Sequence, residues 1–175
     1  MERREFIKAV GGAGCAGLFG GCALFRDELR YRSGGELHRD FHASILDGYN
    51  YIRDNYGEGA IREVVAAFAR GVYRTMHEKL AAGDPSELLE YWRYYMTREG
   101  GDFGVAETAD GAVFFVRGCP ALRHLANRKV DGGEELCALT RLFNEELTRD
   151  TPYEIVQSCA DGVCRQVLKR KGGAA

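Results

Sequence analysis

Two aspartate–glycine pairs, Asp110-Gly111 and Asp161-Gly162, place the tightest constraint on the fold of this chain. Each lies between short segments rich in β-branched and aromatic residues: 103–108 and 112–117 around the first, 153–160 and 163–169 around the second. A two-residue hairpin turn needs positive φ at its central residues, and Asp-Gly adopts that conformation with little strain. The pattern predicts two antiparallel β-hairpins.

Outside the hairpins the apolar period lengthens to that of a helix. Ser33-Gly34-Gly35-Glu36 reads as a capping box, followed by Leu37, Phe41, Ile45, Tyr49, Ile52 and Tyr56 at helical spacing, with Gly57 as the stop. A second run carries Ile61, Val65, Phe68, Val72, Met76 and Leu80 and ends at Gly83. Asp84-Pro85-Ser86-Glu87 opens a third, which buries some of Leu88, Leu89, Trp92, Tyr95 and Met96 before Gly100-Gly101. Two more helices are expected over 120–128 and 133–148. The order ααα-ββ-αα-ββ predicts an α+β domain in which helices pack on an antiparallel sheet. No βαβ alternation or Gly-rich phosphate loop points to a nucleotide-binding fold.

The first 25 residues read as an address rather than as part of that domain. Arg3 and Arg4 are followed by Phe6, Ile7 and Lys8, then by an uncharged, glycine-rich run over 9–25. This resembles a twin-arginine export signal, with the twin-arginine translocase as the implied partner. The run is short and weakly apolar for a membrane-spanning helix, which needs roughly 20 predominantly apolar residues. Leu18-Phe19-Gly20-Gly21-Cys22 is similar to a lipobox, making Cys22 a candidate lipidation site and the N-terminus a candidate membrane anchor facing away from the cytoplasm. The expected organisation is a signal over 1–25, a linker over 26–35, one domain over 36–170 and a tail over 171–175. Twenty-four basic and 26 acidic residues are interspersed without a basic block, so no nucleic-acid partner is implied.

Four cysteines fall in the domain: Cys119, Cys137, Cys159 and Cys164. Cys119 stands just past a strand and before Pro120, which places its thiol at a helix N-cap, where unpaired N–H groups and the helix dipole favour thiolate. Arg117 is expected to reinforce that effect. Cys119 is therefore the candidate nucleophile, with a small buried side chain as the plainer reading. Cys137, Thr140 or Arg141, and Asn144 form a polar stripe along one helix, which fits either a solvated face or the wall of a pocket. His124 lies one turn into the helix after Cys119 and is a candidate for the same pocket. His38 and His42 have metal-compatible spacing, but with Asp40 between them and no motif glutamate a partly exposed helix surface is the expected reading. The aromatic run 90–95 suits core packing better than a ligand cavity.

In Ser158-Cys159-Ala160-Asp161-Gly162-Val163-Cys164, a two-residue turn pairs Ala160 with Val163 and sets Cys159 opposite Cys164. Opposed Cα atoms about 4.5 Å apart in a non-hydrogen-bonded pair lie at the short edge of disulfide geometry, so a cross-strand Cys159–Cys164 bond is a candidate. Export would make that bond chemically permissible.

Arg117-Gly118-Cys119-Pro120-Ala121, then Leu136-Cys137 with Asn144 seven residues on, then Gly162-Val163-Cys164, together resemble the L-2-amino-thiazoline-4-carboxylic acid hydrolase family. Tyr91-Trp92-Arg93 and Gly101-Asp102-Phe103 fit its helix leading into the first hairpin, and the resemblance spans residues 36–170. It implies ring-opening hydrolysis of a small cyclic amidine, with Cys119, Cys137 and Cys164 as the catalytic cysteines and Cys159 as an addition. The three thiols would act either through a Cys119 nucleophile or by holding a metal that activates water. Asn144, Thr140 and His124 are the candidate substrate-binding residues. A non-enzymatic exported module that binds a small molecule or metal through the same cysteines is the competing expectation.

Overall fold

The computed structural model describes residues 35–160 and 162–172; the twin-arginine, lipobox and Ser33 capping motifs lie outside the described residues. The element order is α1 (Gly35–Gly71), α2 (Arg74–Ala81), α3 (Ser86–Glu99), β1 (Asp102–Thr108), β2 (Gly111–Arg117), α4 (Pro120–Asn127), α5 (Gly133–Thr148), β3 (Tyr153–Ala160) and β4 (Val163–Arg170). The fold is α+β, as the sequence pattern predicts. The four strands form one antiparallel sheet in the order β1-β2-β4-β3, so the two hairpins meet through β2 and β4. No described helix is long and apolar enough to cross a membrane.

Gly57 breaks α1 as expected, with φ 82° and ψ 174°, although helix resumes directly after it. The second helical run divides at Val72 and Tyr73, which form a turn between α1 and α2. Asp84 accepts a 2.9 Å bond from the Ser86 N–H at the start of α3, and Pro85 takes the N-cap position rather than the first helical one. Gly100, in the left-handed region at φ 63°, closes that helix and turns the chain into β1.

Strand alternation divides the sheet into two faces. The face beneath the helices carries Phe103 and Val105 of β1, Ala112, Phe114 and Val116 of β2, Leu168 and Gln166 of β4, and Tyr153 and Ile155 of β3. Leu80, Leu88, Leu89, Trp92 and Leu147 complete the core from above, with Trp92 stacked on Phe114 at 4.9 Å between ring centroids. The opposite face is more exposed and mixed, with Val113, Val167 and Val156 in one row between charged residues. It is tied by Arg117 to Asp102 at 2.9 Å and Lys169 to Glu154 at 3.2 Å.

Before Gly57 the core stripe of α1 is offset from the one its apolar spacing suggests: Phe41, Ile45 and Tyr56 are exposed, whereas His42 and Leu46 are buried. After Gly57, Ile61 and Val65 are buried as their spacing predicts, while Phe68 is exposed and Ala69 is buried in its place. Apolar residues occur on every side of this helix, so periodicity alone does not select the inward face. Tertiary contacts select it: the side chain of Leu46 lies against Gly132, whose φ of 121° and lack of a Cβ leave room for it.

Candidate functional site

The helix-covered face of the sheet changes character from one end to the other. Residues paired across β2, β4 and β3 form successive rows: Ala112–Leu168–Ile155, then Phe114–Gln166–Gln157, then Val116–Cys164–Cys159. An apolar row thus gives way to a row with two amides, and that to a row with two thiols beside the β3–β4 turn. Helix α5 runs above them and repeats the sequence, with Leu147 over the core, Asn144 over the amides and Cys137 near the thiols.

The amides interlock. Asn144 is buried at 3% exposure, and its Nδ2 donates to Gln166 Oε1 at 2.8 Å and to Gln157 Oε1 at 3.4 Å. Gln157 Nε2 in turn donates to the Cys137 carbonyl at 3.5 Å. The polar stripe of α5 is therefore a wall against the sheet and not a solvated face. Both Nδ2 hydrogens of Asn144 are engaged, so its role here is to fix α5 over the strands. Thr140 donates its hydroxyl hydrogen to the Leu136 carbonyl at 2.9 Å, which leaves its oxygen as an acceptor.

Cys159 stands opposite Cys164 in the β3–β4 register, as the Asp-Gly turn predicts. Its thiol is near enough to those of Cys164 and Cys137 to help raise both. All four domain cysteines are free thiols, with Cys159 exposed and the others half-buried. Burial, followed by its contact with Cys159, pushes the Cys164 thiol up to about 12. Burial, and then proximity to Cys159 and Cys119, raises the Cys137 thiol too. Both are protonated near neutral pH.

Cys119 is the N-cap of α4 with Pro120 in the first turn, and its carbonyl accepts the 3.0 Å bond from the Arg123 N–H that starts the helix. Its thiol makes no capping bond to the first turn. Arg117 does not reinforce this end of the helix. As an odd-numbered residue of β2 it projects from the opposite face, where it grips Asp102 through Nε at 3.0 Å and Nη2 at 2.9 Å. Among the described residues no three His, Cys, Asp or Glu side chains are arranged to hold a metal ion.

His124 lines a shallow surface hollow with Ala43, Arg128 and Val130. His42 is no surface residue. It is buried at 7% exposure, with Nε2 3.0 Å and 3.3 Å from the two carboxylate oxygens of Glu99. Tyr95, one turn before Glu99, hydrogen-bonds to that carboxyl and lies on the side of Cys119. Burial, and then the Glu99 carboxyl, hold the Tyr95 phenol well above its ordinary value. A further tyrosine pair, Tyr73 and Tyr91, meets hydroxyl to hydroxyl at 3.4 Å, with Phe143 against Tyr73 at 5.1 Å between centroids.

The sequence pattern gives no weight to Glu99 or the two glutamines, and it places Tyr95 with the core aromatics rather than beside a carboxyl. One signal was present: a glutamate in the last turn of a helix opposes the negative end of its dipole and calls for a compensating partner. Compared with known proteins, the chain matches no family model, no curated protein sequence and no solved structure.

Proposed function

We propose that the protein is an exported hydrolase that opens a small cyclic amidine of the 2-aminothiazoline-4-carboxylate type at its thiol-lined end. The observation that supports this reading most strongly is the gathering of thiols from α4, α5, β3 and β4 at one end of a sheet whose other end is an apolar core. Cys119 is the nucleophile in this reading, because it caps a helix and its neighbours Cys137 and Cys164 are held as neutral thiols.

The Cys119 sulfur would attack C2 of the ring, and the developing negative charge would face the first-turn N–H groups of α4. Breakage of the C2–S bond then releases the ring sulfur as a thiol, leaving an isothiourea on Cys119. Water adds to that carbon, the Cys119 thiol departs, and a carbamoyl-cysteine is the product. Protonated Cys137 and Cys164 contribute an uncharged, weakly donating wall.

The test is turnover of 2-aminothiazoline-4-carboxylate by the purified chain, followed by thiol release and product mass. Loss of turnover in Cys119→Ser, with the fold retained by circular dichroism, is the expected result. Tight binding of the thiazoline without turnover by the wild type would favour the small-molecule-binding module instead.

A further inference from the structure

Before Gly57, α1 carries an apolar stripe that faces outward. Phe41, Ile45 and Tyr56 are 55%, 48% and 68% exposed, Gly48 is exposed, and Tyr49 and Ile52 are half-buried. At 3.6 residues per turn these residues share one side of the helix, next to the side that buries His42 and Leu46. Ser44, Tyr51 and Asn55 continue the stripe outward, and the charged residues of the segment, Asp47, Arg53 and Asp54, lie off it. A charge-free patch rich in aromatic rings has the composition of a protein interface.

The spacing of the stripe is the same in both directions. From Phe41 it steps four residues to Ile45 and three to Gly48; from Tyr56 it steps four back to Ile52 and three to Tyr49. Two antiparallel copies related by a two-fold axis between Gly48 and Tyr49 therefore match reciprocally. Phe41 meets the partner's Tyr56, Ile45 meets the partner's Ile52, and Gly48 meets the partner's Tyr49. An isologous interface requires that reciprocity, whereas a foreign partner does not. Gly48 supplies the hole: a Cβ there meets nothing within 4 Å, so a second helix can approach closely and a tyrosine ring has room. Tyr49 already lies beneath the Arg53 guanidinium at 5.6 Å, and Tyr56 lies edge-on to Tyr51 at 6.3 Å. Both rings are thus ordered before contact, which lowers the entropy cost of association.

We propose that residues 41–56 of α1 form a homodimer surface, on which a second copy of this chain packs antiparallel about that axis. The segment is about 24 Å long at 1.5 Å per residue, which limits the contact to roughly 1,200 Å² of total buried surface. An interface of that size gives a dissociation constant of about micromolar order. Lipid is the poorer fit. A helix that lies on a membrane carries a basic polar face, whereas Asp47 and Asp54 put negative charge on the outer side of this one.

Sedimentation velocity of the full chain over a concentration series tests the surface. No turnover is read, so the outcome is independent of the hydrolase reading. Wild-type protein is expected to pass from monomer to dimer as concentration rises. Ile45→Lys and Ile52→Glu are each expected to weaken association by about tenfold or more. An equimolar mixture of the two is expected to recover it, because the new lysine on one copy then faces the new glutamate on the other. Phe41→Lys mixed with Tyr56→Glu, at more exposed positions, gives the same readout if Ile52→Glu is poorly folded by circular dichroism. A wild-type chain that is still monomeric at about 100 μM would overturn the proposal. So would single variants that associate as the wild type does, or mixtures that stay dissociated. Wild-type monomer that binds phosphatidylglycerol vesicles, and loses that binding in Ile45→Lys, would overturn it in favour of a lipid surface.

Discussion

The imidazole of His42 lies 3.0 Å from the carboxylate of Glu99, and the two side chains are almost sealed from solvent. Glu99 occupies the last turn of α3, where the helix carbonyls repel negative charge. His42, on the first half of α1, answers that repulsion, and Tyr95 supplies a further hydrogen bond. This pair ties the first described helix to the one that leads into the sheet.

Removing one partner leaves the other buried without its complement. His42→Ala is expected to destabilise the fold by about 3–5 kcal/mol, because Glu99 stays in a site closed to water. Urea unfolding of the variant measures the loss. Glu99→Gln, which keeps an acceptor for the imidazole, is expected to lose less.

Asn144 offers a second test. Asn144→Ala deprives the Oε1 atoms of Gln166 and Gln157 of their donor within the sheet interface. The expected cost is about 1–3 kcal/mol, the range for buried polar groups left unsatisfied. Thr140→Val, which removes only a hydroxyl bonded within its own helix, is expected to cost less in the same assay.

The amide and thiol rows bear on what the sequence disclosed. The hairpins and their register were legible because Asp-Gly turns and period-2 alternation are local signals, and Cys159 falls opposite Cys164 on counting alone. The approach of Cys137 to the same thiols was not legible, since it depends on how α5 lies across β3. The inward turn of His42 was hidden for a similar reason. Phe41 and Ile45 are the more apolar neighbours, yet contacts with Glu99 and Gly132 decide which side of α1 faces in. Arg117 was misjudged from its nearness in sequence to Cys119, although strand alternation sends it to the other face.

The raised thiols carry a pH signature. Cys164 is elevated to about 12 in the fold, against an ordinary value near 9. A thiol raised by folding contributes stability that is complete below its unfolded value and is lost as pH rises from about 9 toward 12. Cys137 adds in the same direction. Thermal unfolding is expected to show falling stability across that window, less steeply in Cys164→Ala. Iodoacetamide at pH 8 is expected to label exposed Cys159 well before Cys164.

Gly111 provides a check on the sheet itself. A Cβ there would collide with the backbone carbonyl of Leu168, and backbone does not yield as a flexible side chain does. Gly111→Ala is expected to disrupt the β2–β4 pairing and lower the melting temperature. Gly118→Ala meets no close atom, but its φ of 70° makes it a milder, strain-only comparison.

The assignment of Cys119 as a nucleophile is tested most directly by rapid quenching of the protein with 2-aminothiazoline-4-carboxylate, followed by peptide mass spectrometry. The expected result is a transient adduct of one substrate mass on the peptide containing Cys119, formed and lost at rates that account for turnover and missing from Cys119→Ser. Turnover without that adduct, an adduct confined to another cysteine, or no reaction with the thiazoline would contradict it.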